Sequence, residues 1–85
     1  MYTVYILISE RRKNWSYVGY SADLERRVNE HRRGRVRSTK GNRPLLVIYT
    51  ETFDIEDEAY QREQYLKSGI GREEKQRLIQ SSRIV

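Results

Sequence analysis

The amino-acid sequence predicts an α+β fold, with a small three-stranded and mainly antiparallel sheet flanked by helices in the order β-β-α-β-α-α. Two short runs of β-branched and aromatic residues lie near the N-terminus, and a third lies near the middle of the chain. Helical patterns follow the second and third runs. A chain of 85 residues can build one compact core, so we expect a single domain over residues 1–80 and a frayed tail over residues 81–85.

The first half of the chain is predicted to form a hairpin and a helix. Residues 2–8 (YTVYILI) and 16–20 (SYVGY) have the length and composition of strands and are joined by a polar connection. Ser21 is a suitable N-cap, and Gly34 follows the last helical residue. These signals predict a first helix over about residues 22–33.

The second half is predicted to form one strand and two helices. Residues 35–44 (RVRSTKGNRP) have the composition of a basic loop, and residues 45–51 (LLVIYTE) form the third predicted strand. Asp54 is the expected cap of a second helix over roughly residues 55–68. A short amphipathic helix is expected over residues 72–80.

Composition excludes several classes of protein. The chain has no cysteine, so it has neither a disulfide framework nor a zinc site built from cysteine and histidine. No apolar run approaches the ~20 residues needed to span a bilayer, and the N-terminus lacks the pattern of a secretory leader. We expect a cytoplasmic protein without a membrane partner.

Positive charge is concentrated in one segment, although the net charge of the whole chain is only +5. The single acid between residues 26 and 43 is Glu30. The basic residues of this segment are Arg26, Arg27, Arg32, Arg33, Arg35, Arg37, Lys40 and Arg43. A solvated helix face is the structural interpretation of such a run. Because guanidinium groups grip phosphates in a bidentate fork, we favour DNA as the partner and keep RNA as an alternative.

The second strand contains a glycine beside tyrosines. Tyr17 and Gly19 share one face of their strand, and Tyr5 lies on one face of the first strand. Gly19 marks either a bulge or strand end, or a place where another group approaches the backbone closely. The two tyrosines are either core aromatics or hydroxyl donors at a site, and the use of seven tyrosines against one phenylalanine favours working hydroxyls.

Three charged or titratable side chains on the predicted helices are candidates for a site. Arg27 and His31 are four residues apart and project from one side of the first helix. A snorkelling arginine paired with Asp23, and a structural histidine, are the alternatives. Glu63 lies at helical spacing between apolar neighbours, which carries it toward the core. Its charge requires either an ion pair with Arg27 or Arg62, or a hard divalent ion.

Taken in order, these residues resemble the GIY-YIG endonuclease superfamily. The matching features are VYI at residues 4–6, YVG at 17–19, an arginine, a histidine and a later glutamate, and the likeness covers about residues 2–79. Within the superfamily the chain is similar to the small stand-alone branch, also called URI-domain proteins. The sequence departs from the family pattern at Thr3, where a glycine is usual, at Val18, where isoleucine is usual, and in having no asparagine after Glu63.

The resemblance implies a metal-dependent endonuclease with a GIY-YIG-like fold and a role in DNA repair or recombination. It implies catalytic roles for Tyr5, Tyr17, Arg27 and His31, with Gly19 as a structural neighbour and Glu63 as the ligand of one Mg²⁺ or Mn²⁺ ion. Tyr5, Tyr17 and His31 stay open as the general base. The expected nucleic-acid contacts are Arg26, Arg32, Arg33, Arg35, Arg37, Lys40 and Arg43.

Two alternatives belong to other functional classes. The first is a non-catalytic nucleic-acid-binding module, and the second is a protein-interaction domain with a basic surface. The sequence does not determine three properties: whether a protein partner supplies specificity, the oligomeric state, and which nucleic-acid structure is cut.

Overall fold

The computed structural model describes residues 1–83, and the predicted α+β architecture is confirmed in them. Strands β1 (Tyr2–Ser9), β2 (Ser16–Ser21) and β3 (Leu45–Phe53) form a three-stranded sheet in the order β2-β1-β3. Both strand pairings are antiparallel. The described helices are α1 (Leu24–Arg32), α2 (Arg37–Lys40), α3 (Glu56–Lys67) and α4 (Arg72–Arg83).

The central strand β1 is buried on both faces, because its side chains alternate between them. Val4, Ile6 and Ile8 pack with apolar residues of α3 and α4 on one face. Tyr5 and Leu7 pack on the other face, where a residue of α1 joins them. Complete burial of each aliphatic side chain contributes roughly 1.5–3 kcal/mol of transfer free energy. Tyr5 is therefore held in the interior, on the face that α1 covers.

Helix α1 starts two residues later than predicted. Its N-cap is Asp23, whose Oδ1 accepts a hydrogen bond from the Arg26 backbone N–H at 3.1 Å. The prediction that Ser21 caps this helix is wrong, because Ser21 still pairs with Thr3 as the last residue of β2. The Ser21 hydroxyl instead accepts a hydrogen bond from the Asp23 backbone N–H.

The predicted basic loop contains a short helix, α2. Gly34 has a φ of +78° between α1 and α2, a conformation that glycine adopts without steric cost. A β-carbon at this position would also lie 2.6 Å from the Arg43 guanidinium. The turn at Gly34 allows α2 to fold back against α1.

The ends of α3 and α4 also differ from the predicted bounds. Residue Ile55 precedes α3 and makes no side-chain cap hydrogen bond, so the expected cap at Asp54 is wrong. Acidic residues in the first turn of α3 interact favourably with the helix dipole in its place. Helix α4 continues through residues 81–83, which were predicted to be part of a frayed tail, and residues 84 and 85 lie outside the described residues.

Candidate active site

Tyr5 and Gly19 are directly opposite each other in the pairing of β1 with β2. A β-carbon added to Gly19 would lie 2.6 Å from Tyr5 Oη and 3.1 Å from Tyr17 Cε1. The register runs regularly through Gly19, so the bulge interpretation of this glycine is wrong. The group that approaches the Gly19 backbone closely is the hydroxyl of Tyr5.

His31 on α1 is fully buried against the two tyrosines. Its Nε2 lies 2.8 Å from Tyr5 Oη, and its Nδ1 lies 2.9 Å from Thr39 Oγ1 on α2. The centroid of the imidazole lies 5.6 Å from that of the Tyr5 ring and 5.2 Å from that of the Tyr17 ring. Because His31 has no exposed surface, a proton that it exchanges with a bound molecule must pass through a neighbour such as Tyr5.

Burial favours the uncharged forms of both Tyr5 and His31. Burial and the nearby Tyr17 raise the pKa of Tyr5 to about 12; Arg27 acts in the opposite direction, and the charge of Glu63 adds to the rise. Burial also lowers the pKa of His31 from its ordinary 6.5, and the positive charge of Arg27 lowers it further. The resting pair is therefore a phenol beside a neutral imidazole.

Arg27 lies on α1 next to Tyr5. Its Nη1 donates a hydrogen bond to Glu30 Oε1 at 2.8 Å, and 36% of its side chain is exposed. The alternative pairing of Arg27 with Asp23 is not formed, and Asp23 Oδ2 instead lies 3.8 Å from Arg26 Nε. The guanidinium also lies near enough to the Tyr5 hydroxyl to lower the pKa of that tyrosine. Arg27 thus lies near the buried Tyr5 hydroxyl and is also partly exposed to solvent.

Glu63 on α3 is buried between Ala59 and Leu66, as the helical spacing predicts. Its Oε2 lies 3.4 Å from the Nζ of Lys67, one turn further along the helix. Its Oε1 accepts a hydrogen bond from the side-chain amide of Gln64 at 2.8 Å. The cation beside this carboxylate is therefore a lysine of the same helix.

Neither arginine expected as an ion-pair partner of Glu63 contacts it. The Arg62 guanidinium reaches Glu51 on β3 at 2.7 Å and Glu74 on α4 at 2.5 Å. Arg27 pairs with Glu30, as described above. Arg62 consequently links α3 to β3 and α4, and the alternative in which Glu63 pairs with Arg27 or Arg62 is wrong.

The Glu63 carboxylate supplies oxygen atoms, which are the kind of ligand that a hard divalent ion takes. The carboxylate contacts two groups that each donate from a single nitrogen, the Gln64 amide and the Lys67 ammonium, and the Lys67 side chain is 42% exposed. Within the described residues, no arginine guanidinium pairs with Glu63. Residues 1–83 contain no cluster of three or more histidine, cysteine or acidic side chains that could hold a metal. An ion at Glu63 would consequently keep several water ligands, as Mg²⁺ commonly does.

The predicted nucleic-acid contacts are all exposed, and the structure divides most of them between two hollows. The first, of about 470 Å³, is lined by basic residues and by no acid. Its lining residues are Arg11, Arg32, Lys40, Gly41, Arg43 and Pro44. The second, of about 380 Å³, contains Arg26, Arg33 and Arg35 together with acidic residues. Arg37 lines neither hollow.

Three residues at these sites were missed by reasoning from the sequence. Lys67 follows Glu63 by four positions, so the helical spacing was a usable signal. Arg11, in the β1–β2 connection, donates a hydrogen bond to the carbonyl oxygen of Gly41 and so joins the first basic hollow. Thr39 carried no local signal, because only the fold brings it to His31.

The GIY-YIG catalytic domain family matches residues 1–76 of this chain. Similar proteins include the UPF0213 protein of Natronomonas pharaonis, 42% identical over 64 residues, which cover 74% of each chain. The UPF0213 protein of Haloquadratum walsbyi is 39% identical over 77 residues, which cover 89% of this chain and 85% of the relative. The solution NMR structure of a UPF0213 protein from Bacillus halodurans is 30% identical, with a TM-score of 0.56, and the match covers 94% of this chain and 84% of that one.

The family match indicates a small domain of a nuclease-type family. The chain belongs to the GIY-YIG family, and its relatives are UPF0213 proteins. The resemblance found in the sequence is thereby confirmed. Across residues 1–83, no helix is long and apolar enough to cross a membrane.

Proposed function

We propose that this protein is a divalent-metal-dependent endonuclease that hydrolyses phosphodiester bonds in DNA and acts in DNA repair or recombination. The observation that carries the proposal is a convergence on one hydroxyl. Tyr5 Oη lies 2.8 Å from His31 Nε2, and both the Arg27 guanidinium and the Glu63 carboxylate are close enough to change the pKa of Tyr5. Metal-dependent phosphodiester hydrolysis uses an acid–base pair, a cation and a metal ligand, and this proximity supports assigning those roles to the Tyr5–His31 pair, Arg27 and Glu63.

In the proposed reaction the protein residues act in distinct ways. Arg27, with one edge exposed, binds a non-bridging oxygen of the scissile phosphate. Tyr5 takes a proton from the attacking water while His31 accepts the proton of Tyr5. We assign the base to the Tyr5–His31 pair because these residues are hydrogen-bonded to each other. Tyr17, half-buried against His31, lines the site.

Glu63 is the residue that would hold one Mg²⁺ or Mn²⁺ ion. Such an ion, when bound, supplies positive charge to the departing 3′ oxygen. In the structure, the Lys67 ammonium offsets the negative charge of Glu63. Target choice follows from the exposed basic residues, which contact the phosphate backbone and respond to its shape instead of its base sequence.

The proposal is tested with labelled single-stranded, duplex, flapped and branched DNA, and with RNA, in the presence of Mg²⁺ or Mn²⁺. We expect the wild type to cut at least one DNA substrate, and Glu63→Gln and Arg27→Ala to reduce cleavage by about 10²–10⁴-fold. The matched control is Glu58→Gln, which removes an exposed acid from the same helix and should leave cleavage unchanged. Equal cleavage by the wild type and both site variants would identify a contaminating nuclease and overturn the proposal.

A non-catalytic nucleic-acid-binding module is the second candidate function. Two observations favour it: Lys67 already pairs with Glu63, and Tyr5 is only 1% exposed. This candidate predicts salt-dependent binding of DNA without cleavage under any metal condition. The same assay therefore separates the two functions.

A further inference from the structure

Thr39 places a buried hydroxyl beside the one histidine of the chain. Its Oγ1 lies 2.9 Å from His31 Nδ1 and 3.4 Å from the carbonyl oxygen of Val36. The Val36 carbonyl oxygen, which also accepts from the backbone N–H groups of Thr39 and Lys40, can accept the single hydrogen of the hydroxyl. In that arrangement Thr39 Oγ1 accepts from His31, and this requires the imidazole proton to be on Nδ1.

The other end of this hydrogen-bond chain leads to the same proton position. Arg27 can only donate, and its guanidinium lies near enough to the Tyr5 oxygen to lower the pKa of that tyrosine. The hydroxyl hydrogen of Tyr5 therefore needs a separate acceptor, and His31 Nε2 is the acceptor at 2.8 Å. A neutral imidazole carries one N–H group, so an Nε2 that accepts from Tyr5 requires the hydrogen to be on Nδ1.

We propose that Thr39 is a positioning residue that holds His31 in the Nδ1–H tautomer and directs the Nε2 lone pair at the Tyr5 hydroxyl. Without the threonine hydroxyl, the proton is free to move to Nε2, which would then donate to Tyr5. The Tyr5 hydrogen would lose its acceptor, and the pair would no longer relay a proton. The tautomer is a property of the folded protein, whereas its effect on catalysis rests on the proposed nuclease function.

The tautomer determines whether His31 Nε2 can accept the Tyr5 proton when Tyr5 takes a proton from the attacking water. The attacking water forms its O–P bond and gives a proton to Tyr5 Oη, while the original Tyr5 proton moves to His31 Nε2. The P–O3′ bond breaks, and the 3′ oxygen takes a proton from solvent. His31 is then an imidazolium, still bonded to Thr39 through Nδ1–H, and it returns the Nε2 proton to solvent through Tyr5.

The same hydroxyl connects two parts of the proposed function. Thr39 lies on α2, between the exposed residues Arg37 and Lys40 of the basic segment. His31 lies on α1 and contacts Tyr5 on β1. The Thr39–His31 hydrogen bond thus fastens a helix of the proposed backbone-binding surface to the proposed general base.

Long-range ¹H–¹⁵N correlation spectra near neutral pH report the tautomer directly, because the chain has a single histidine. We expect the Nδ1–H pattern in the wild type and in Thr39→Ser, which keeps the hydroxyl. Thr39→Val keeps the shape and loses the hydroxyl, and it should show an Nε2–H or mixed pattern. An Nε2–H pattern in the wild type, or an unchanged pattern in Thr39→Val, would overturn the proposal. If Thr39→Val does not fold, an Nε2–H pattern in the wild type or in Thr39→Ser still overturns the proposal.

Kinetics test the catalytic consequence separately. Thr39→Val should lower kcat for DNA cleavage by about 10–100-fold with little change in KM, and Thr39→Ser should restore most of it. Thr52→Val, a matched change at an exposed threonine of β3, is the control. The spectra require neither DNA nor metal, so an inactive wild type would contradict the proposed function without contradicting the tautomer. Normal kcat in a Thr39→Val protein with an altered tautomer would contradict the positioning role.

Discussion

Lys67 Nζ lies 3.4 Å from Glu63 Oε2 and 5.7 Å from the centroid of the Tyr17 ring. The lysine thus occupies the carboxylate that we propose as a metal ligand and reaches the aromatic wall of the same site. An ammonium and a divalent cation compete for one carboxylate. Lys67 is therefore expected to weaken metal binding at Glu63.

We predict that Lys67→Met raises the Mn²⁺ affinity of the protein about two- to fivefold, because a partly exposed ion pair contributes up to about 1 kcal/mol. Manganese titration followed by electron paramagnetic resonance, without DNA, measures this affinity. Lys13→Met is the matched control, since Lys13 lies in the β1–β2 connection. Unchanged affinity in Lys67→Met, or full affinity in Glu63→Gln, would contradict the prediction.

We predict that Gly19→Ala destabilises the protein by about 1–3 kcal/mol, which is the usual cost of overpacking an interior. The reason is the 2.6 Å separation between the new β-carbon and Tyr5 Oη. The displaced hydroxyl should also lose its bond to His31, so cleavage should fall. Urea denaturation measures the stability.

The control for the Gly19 variant is Gly41→Ala. Within the described residues, a β-carbon at Gly41 has no contact within 4 Å outside its immediate chain neighbours, and the φ of −77° suits alanine. Equal denaturation midpoints for the two variants would show that the Tyr5 contact is not tight.

The buried histidine predicts a particular dependence of stability on pH. Burial lowers the pKa of His31 in the folded protein below its ordinary 6.5, and the positive charge of Arg27 lowers it further. The negative charge of Glu30 acts in the opposite direction. The unfolded chain therefore binds a proton more readily. The stabilisation is complete above about pH 6.5 and is lost as pH falls through the lowered folded-state pKa.

Denaturation midpoints for the wild type and His31→Gln between about pH 5 and 8 measure this contribution. The difference between the two proteins should shrink as pH falls, because other titrating groups act on both. A difference that is constant across the range would show that His31 titrates equally in the folded and unfolded states.

The two hollows around the basic segment predict unequal contributions to DNA binding. Arg32 and Lys40 line the hollow that has no acid among its lining residues, whereas Arg26 pairs with Glu30 at 2.8 Å. We predict that Arg32→Ala or Lys40→Ala lowers the slope of log K against log salt by about 0.9, and Arg26→Ala by less. Fluorescence anisotropy with duplex DNA in EDTA measures the slopes. Equal changes for all three variants would contradict this division.

Some features of the site could be predicted from residue spacing alone. The alternation in β1 predicts which face of the strand carries Tyr5, and the helical period predicts that Glu63 points inward between Ala59 and Leu66. Arg27 and His31 are separated by about one helical turn and lie on one side of α1. These predictions succeed because they depend on the geometry of a single strand or helix.

The contacts between elements were decided by the tertiary structure. The sequence by itself determined the order of the three strands and of helices α1, α3 and α4, the inward direction of Glu63, and the concentration of positive charge between residues 26 and 43. Only the fold decided that Thr39 forms a hydrogen bond with His31 and that Arg62 forms ion pairs with Glu51 and Glu74 instead of Glu63. Local periodicity specifies which way a side chain points, but its partner depends on how distant segments pack, and no pattern within one segment contains that information.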